Sequence, residues 1–271
     1  MSTNLLQDDI GTILTSVFDA GETLYVVNPS GETISEFITT LEDSSAHPEV
    51  RMLAEERVLK DIMDDFILAS TAADLIEAET LALRLLADGP NHSIAVTSDE
   101  VYALVTVGDS VAGLGTDDDE FVGDVFGFYA DVWDDAEAFS LRTPPLSLVQ
   151  ETLESDIGSE TAADFDAVLG SLATARGDGD GLDEVTIALL VAAKNGELLY
   201  DISKWGEDIG LASKATFSRT KTKLEDMGLI DTEKVPIDVG RPRLRLMLGD
   251  ERLKGADTDD LASITQSILA A

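Results

Sequence analysis

Between Lys214 and Lys223 the chain sets four cations, Lys214, Arg219, Lys221 and Lys223, and no acid. A second cluster, Arg241, Arg243 and Arg245, follows shortly after. Ammonium and guanidinium groups at this density neutralise a polyanion, and the guanidinium fork matches phosphate oxygens in particular. Their placement stands out because the chain is otherwise acidic: 271 residues carry 18 Lys+Arg against 54 Asp+Glu, a net charge of −36. Residues 1–200 hold 7 bases and 41 acids, whereas residues 201–250 hold 9 of each. An island of retained base in such a chain points to an anionic partner. Local salt bridging to the acidic body is the plainer alternative.

Other chemistry is thinly supplied. There is no cysteine, which excludes disulfides, thiolate nucleophiles, iron–sulfur clusters and Cys-ligated zinc. Two histidines, His47 and His92, leave no multi-His metal site. No nucleophile–base pair or metal cluster can be assembled from the remaining residues, so the reading is of a non-enzyme that needs no cofactor. Gly177–Gly181 (GDGDG) resembles part of a calcium loop but lacks the spacing to a bidentate Glu, and reads as a turn. The acids Asp117–Glu120 suit the positive end of a helix. The turn Asn28-Pro29-Ser30-Gly31-Glu32-Thr33 lies between an apolar run and a helix start. There Ser30, Gly31 and Thr33 could hold a small anion such as a sugar phosphate. The alternative is an ordinary capped turn, and no Gly-Lys-Ser/Thr follows as a nucleotide phosphate loop requires.

The elements that must carry these residues follow from periodicity. With 44% hydrophobic residues the chain has the material for a core. Apolar residues at 5, 6, 10, 13, 14 and 17 predict a helix over residues 5–17. Strands are predicted at 23–28, 49–53, 81–86, 93–97 and 100–107, and helices at 32–41, 55–68 and 118–139. This alternation describes an α/β domain over residues 1–140, read as a sensor or regulatory domain. Residues 141–181 form a linker with two helices, at 146–156 and 160–176.

From residue 182 the order changes. Helices are predicted at 183–194 and 202–208, then a third from the N-cap Ser213 to Met227, stopped by Gly228. Strands at 229–232 and 243–248 enclose a polar tip. Helix, helix, turn, helix and β-wing over residues 182–250 is the order of a winged helix-turn-helix domain. Phe217 and Leu224 pack inward, which leaves Lys214, Thr216, Ser218, Arg219 and Thr222 to face double-stranded DNA. Arg219 is placed to read guanine, Lys221 and Lys223 to meet the backbone, and Arg241 and Arg243 to flank Pro242 on the wing. Ser213 caps the helix whose positive end adds to Lys214 in attracting phosphate. A winged helix used for protein contact, making the chain an interaction adaptor without DNA binding, is the alternative.

The stretch from Gly210 to Arg219, with Lys223-Leu224-Glu225 and Met227-Gly228-Leu229-Ile230, closely resembles winged-helix transcription regulators. Ser93–Thr97, Glu100–Val107, Gly115-Thr116-Asp117 and the set Phe128, Tyr129, Val132, Trp133 and Ala136 resemble the regulatory domain of archaeal TrmB-type sugar-responsive regulators, with the order of the two parts reversed. That resemblance implies a phospholipase-D-like fold without its hydrolase chemistry. Neither His47 nor His92 begins the His-x-Lys segment that chemistry needs. Over its whole length the chain resembles the haloarchaeal TbsP family of transcription regulators. The family resemblance implies control of central carbon or sugar metabolism.

The acidity is similar to that of haloarchaeal proteomes. At molar salt a Debye length of about 3 Å screens the self-repulsion. A nucleic-acid mimic or a cation-binding protein would be the alternative source of such charge. A homodimer on a pseudo-palindrome is expected of a single winged helix. Candidate seams are residues 146–176 and a final helix within residues 251–271, where Leu261, Ile264, Ile268 and Leu269 form a stripe. No apolar run is long enough to span a membrane, and the first residues lack the pattern of a secretory signal, so the expected location is cytoplasmic.

Overall fold

The apolar run that begins at Thr23 is a strand whose Leu24, Tyr25, Val26 and Val27 are all buried, so both of its faces are covered. It lies at the centre of the first of two compact units. The computed structural model describes residues 4–8, 18, 23–44, 48–87, 89–90, 92–107, 110–177, 181–236 and 242–270. The units comprise Met1–Asp64 with Thr71–Leu141, and Asp65–Ser70 with Arg142–Ala271.

The first unit contains β1 (Asn4–Asp8), β2 (Thr23–Val27), α1 (Gly31–Asp43), β3 (Glu49–Ala54), α2 (Glu56–Ile62), most of α3 (Phe66–Glu77), β4 (Leu81–Leu85), β5 (Ser93–Val96), β6 (Val101–Val107), β7 (Ser110–Thr116) and α4 (Asp119–Asp135). All its strands join one sheet in the order β1-β7-β6-β5-β2-β3-β4. The βαβ connections leave β2, β3 and β4 parallel, whereas β5, β6, β7 and β1 add as antiparallel neighbours. Helix α1 buries Ile34, Phe37, Ile38 and Leu41, a stripe at helical spacing. Helix α4 buries Val122, Tyr129 and Trp133 against Tyr25, Val27, Leu53 and Val96 of the sheet.

Three elements differ from the sequence expectation. Residues 4–8 form β1, paired antiparallel with β7 at Asn4↔Leu114 and Leu5↔Gly113, and not the start of a helix. Backbone pairing with a distant strand outweighs the local helical period there, and residues 9–17 lie outside the described residues. Strand β7 is unanticipated because its SVAGLGT carries two glycines, poor strand formers; it is held by pairing with β6 along its length. The helix expected over 55–68 is two, α2 and α3. Asp65 starts the second by accepting a hydrogen bond from the Ile67 N–H at 3.0 Å.

The second unit contains the first turn of α3, then α5 (Leu146–Asp156), α6 (Ser159–Gly170), α7 (Glu184–Asn195), α8 (Leu199–Asp208), α9 (Lys214–Asp226), β8 (Ile230–Val235), β9 (Arg243–Leu248), α10 (Glu251–Lys254), a 3-10 turn (Thr258–Asp260) and α11 (Leu261–Leu269). Helix α7 is buried continuously from Val185 to Ala193 and is the axis of this unit. Phe165 of α6, Trp205 of α8, Phe217 and Leu224 of α9, and Leu246 of β9 join it in one core. Leu261 and Ala262 of α11 are buried in the same core, and Ile264, Ile268 and Leu269 pack on it. Val149, Leu153, Val168 and Leu169 of α5 and α6 are likewise spent there. Asp178 and Asp180 of the glycine-rich turn lie outside the described residues. Among the described residues no helix is long and apolar enough to cross a membrane, and no cluster of three or more His or acidic side chains could hold a metal ion.

Candidate nucleic-acid interface

Helix α8 passes to α9 through a tight turn built on Gly206. Its carbonyl accepts hydrogen bonds from Leu211 N at 2.8 Å and Ala212 N at 3.2 Å, and Gly210 turns the chain with φ +79°. Ser213 then caps α9, its Oγ accepting from Thr216 N at 3.1 Å. Phe217 and Leu224, seven residues apart, are buried and fix the rotation of the helix. Gly228, at φ +72°, ends it, and the Leu229 N–H returns to the Leu224 carbonyl at 2.9 Å. The chain continues into the β8–β9 hairpin, which is tied back to the region before α8 by Leu246 N to Glu197 O at 2.9 Å. A helix-turn-helix followed by a two-stranded wing results.

The rotation set by Phe217 leaves Ser218, Arg219, Thr222 and Lys223 exposed on one side of α9. Arg219 Nη2 reaches Thr216 Oγ1 at 3.4 Å, and the Thr222 hydroxyl donates to the Ser218 carbonyl at 3.0 Å. Among the described residues neither Arg219 nor Lys223 has a carboxylate partner. The Ser213 hydroxyl is engaged in the cap and sits 3.0 Å from Thr216 Oγ1. Lys214 is ion-paired with Glu207 at the end of α8. The hydrogen bonds from the Lys214 side chain and N–H hold the Glu207 carboxyl below its ordinary range, and Glu207 in turn holds the ammonium above its own.

Lys221 departs from the sequence expectation. It lies four residues after Phe217, on the flank turned toward the core, and its Nζ is 2.5 Å from Glu225 Oε2 with 12% of the side chain exposed. Glu225 also accepts from the Thr232 hydroxyl at 2.7 Å. Arg243 is likewise engaged: Nη1 lies 3.0 Å from Asp201 Oδ1, and the guanidinium sits 4.2 Å from the Tyr200 ring centroid. Tyr200 and Asp201 open α8, and local sequence gave no signal for a pair so far apart in the chain. Arg241 lies outside the described residues. Three of the acids near α9 are thus turned onto bases, Glu207 to Lys214, Glu225 to Lys221 and Asp208 to Lys204, whereas Asp226 at the end of α9 is exposed and has no such partner among the described residues.

In the first unit, Ser30 caps α1. Its Oγ accepts from Thr33 N at 3.2 Å and lies 2.8 Å from Thr33 Oγ1, and Thr33 is buried. A β-carbon on Gly31 would meet Ile62 Cδ1 at 2.9 Å. Beside Gly31 lies an open hollow of about 630 Å³ lined by Arg57, Val58, Lys60 and the acids Glu55, Asp61 and Asp64.

Residues 2–144 match the family model for the N-terminal part of TbsP-like transcriptional regulators, and residues 145–266 match the model for their C-terminal helix-turn-helix domain. No curated protein matches the sequence. One similar solved structure is TrmBL2, described as an archaeal chromatin protein with a novel mode of DNA binding. It shares 13% identity at a TM-score of 0.35, over 49% of this chain and 54% of that one, so the likeness spans about half of TrmBL2. With a mixed α/β N-terminal region, a C-terminal helix-turn-helix, and family matches that run from residue 2 to residue 266, the chain belongs to the TbsP-like transcriptional regulators.

Proposed function

We propose that this chain binds double-stranded promoter DNA in a sequence-specific manner, with α9 in the major groove, and that it does so as a homodimer on a pseudo-palindromic site. The observation that carries this reading is the side of α9 bearing Ser218, Arg219, Thr222 and Lys223: it is exposed, and its two cations are not neutralised by any described carboxylate. Arg219 reads a guanine edge, Thr222 and Ser218 contact bases or phosphates, and Lys223 meets the backbone. Ser213, Lys214 and Thr216 stand at the positive end of α9, which favours a phosphate there. Lys214 exchanges Glu207 for that phosphate at small cost, because both side chains of the pair are over 40% exposed. Arg241 and Arg243 serve the wing, Arg243 from its position over Tyr200.

The first unit is the effector-sensing part in this reading. Family membership and acidity support a role in central carbon or sugar metabolism of a haloarchaeon. A sugar or sugar phosphate would lie at the start of α1, by Ser30, Gly31 and Thr33. Since the Ser30 and Thr33 hydroxyls bond each other, the charge for a phosphate would have to come from Arg57 and Lys60 beside Gly31, of which Lys60 is paired with Glu56 and both share the hollow with Glu55, Asp61 and Asp64.

A gel-shift titration with promoter DNA tests the interface. The Lys214→Ala/Arg219→Ala double variant should lose the shift while keeping its circular dichroism spectrum. Chromatin occupancy mapped with and without sugar should show discrete promoter peaks whose height responds to the sugar. Undiminished binding by the double variant removes α9 from the mechanism. Absence of promoter peaks favours the protein-interaction adaptor.

A further inference from the structure

One face of the sheet in the first unit is covered by α4 on part of its width. Beyond α4, strands β6 and β7 set Val101 opposite Thr116, Ala103 opposite Leu114 and Val105 opposite Ala112. Alternation places these three pairs on the same face. The face is apolar, yet Val105 is 40% and Leu114 55% exposed, and along α4 Phe121 is 52% and Phe128 61% exposed. Exposed apolar groups scattered singly need no explanation, but a contiguous set marks a site of interaction. Here they adjoin a groove of about 590 Å³ between α4 and the strands. That volume lies within the range of small-molecule sites, and so does the composition: apolar walls with few polar groups.

Two observations fix the chemistry of the occupant. Tyr129 lines the groove and is nine-tenths buried as a residue, while its hydroxyl has no hydrogen-bond partner among the described residues and keeps contact with solvent. The hydroxyl is neutral at pH 7, as for any tyrosine, and can donate or accept; burial raises its pKa further. Secondly, among the described residues no Lys or Arg lines the groove, and Asp124 is the one carboxylate that does. An anionic group placed there would be desolvated without a counter-charge, which is costly. A second copy of the chain suits the site poorly. A two-fold contact through Phe121 and Phe128 would bring Asp118, Asp119, Glu120 and Asp124 of the same helix against their own kind.

We propose that this groove is a binding site for a small, uncharged, largely apolar ligand that makes a hydrogen bond with the Tyr129 hydroxyl. It is separate from the start of α1 and selects the opposite class of molecule, so it gives the first unit a second input.

The test uses the full chain and two fluorescent probes, N-phenyl-1-naphthylamine and 8-anilino-1-naphthalenesulfonate. Both carry the same aryl rings and N–H, and the second adds a sulfonate. The neutral probe should bind saturably, one per chain, at least tenfold more tightly than the sulfonate. Leu114→Gln with Phe128→Ser should abolish binding; both side chains are exposed, so the fold should persist. Tyr129→Phe should weaken binding about threefold to tenfold, the worth of one hydrogen bond. Failure of the neutral probe to saturate, equal affinity for the sulfonate, or unchanged binding by the double variant overturns the proposal. So does sedimentation that finds a dimer which the same double variant splits, because the face is then covered by a second copy.

Discussion

The ring of Phe217 fills the space into which a β-carbon on Gly206 would project: its Cζ lies 2.5 Å from that position, closer than any real carbon contact. Phe217 belongs to α9 and Gly206 to α8, so this one glycine sets the distance between the two helices. Gly206→Ala therefore meets two opposed effects. Alanine gains up to about 1 kcal/mol of helix propensity. Overpacking a walled-in ring costs roughly 1–3 kcal/mol, and the ring has nowhere to go because Phe217 is fully buried. Overpacking should win. The urea midpoint is expected to fall, and DNA affinity with it as α9 is displaced. Gly123→Ala on α4 is the control: nothing lies within 4 Å of its β-carbon position, so propensity acts alone and the variant should be more stable by about 0.5–1 kcal/mol. A Gly206→Ala protein with an unchanged midpoint and full DNA affinity would show that the spacing is not set here.

The charges around α9 predict distinct signatures in a salt titration. Lys223 is exposed and without a described carboxylate partner, so Lys223→Ala should flatten the slope of log K against log salt by about 0.9 and weaken all sequences alike. Arg219→Ala should instead cost about 1–3 kcal/mol of discrimination at one base position. Glu207→Gln releases Lys214 and should tighten binding, most clearly at low salt. Equal losses on cognate and random DNA for Arg219→Ala would assign it to the backbone.

The ease with which α9 is recognised in the sequence has a local cause. Its cap at Ser213, its inward pair Phe217 and Leu224, and its stop at Gly228 all lie within one helix length, and each acts through its neighbours. Lys221 shows the limit of counting charges. Its position four residues from both Phe217 and Glu225 turns it to the flank of the helix, where it is neutralised. Long-range pairings carry no such local mark. The partner of β1 is more than a hundred residues away at Leu114, and Arg243 of β9 meets Tyr200 and Asp201 at the start of α8. The apolar face of β6 and β7 is equally hidden, because alternating residues look the same whether the face is covered or bare.

Asp164 predicts how the second unit responds to acid. Its Oδ2 accepts hydrogen bonds from Lys194 Nζ and Asn195 Nδ2, both at 2.7 Å, and its Oδ1 accepts from the Thr258 hydroxyl at 2.7 Å. Burial pushes its pKa up, but these three donors and the Lys194 charge outweigh burial and hold it below the usual value. A depressed folded-state pKa contributes stability that is complete above the unfolded value, about 3.9, and is lost as pH falls through the folded one. Asp164→Asn should therefore be less stable than the parent at pH 7, by about 1–3 kcal/mol. The gap should narrow in acid once the carboxylate of the parent is protonated. Comparing the two proteins at each pH removes the general relief of repulsion as other carboxylates are protonated. A gap of constant size from pH 7 to pH 2 would count against the ionised form as the source.

Asp65 is 1% exposed and makes a different kind of bond. One oxygen, Oδ1, accepts from the Ile67 N–H at 3.0 Å and the Ala175 N–H at 3.3 Å, joining residues 110 apart in the chain. The other, Oδ2, faces Arg176 Nε at 3.7 Å, and neither of these two atoms has a hydrogen-bond partner. The two oxygens can be separated by substitution. Asp65→Asn keeps an acceptor for the backbone N–H groups and loses the charge, whereas Asp65→Ala strands both N–H groups and leaves Arg176 without its counter-charge. Removing one partner of a buried pair costs about 3–5 kcal/mol, and this pair is long, so Asp65→Ala should fall near the lower figure. Asp65→Asn should cost less. Adding Arg176→Met to Asp65→Ala should return part of the loss, since it removes the stranded cation. Urea titration of the parent and these three variants measures each difference. If Asp65→Asn were as damaging as Asp65→Ala, the charge would matter more than the backbone bonds, and the role of Asp65 as a joint between Ile67 and Ala175 would fail.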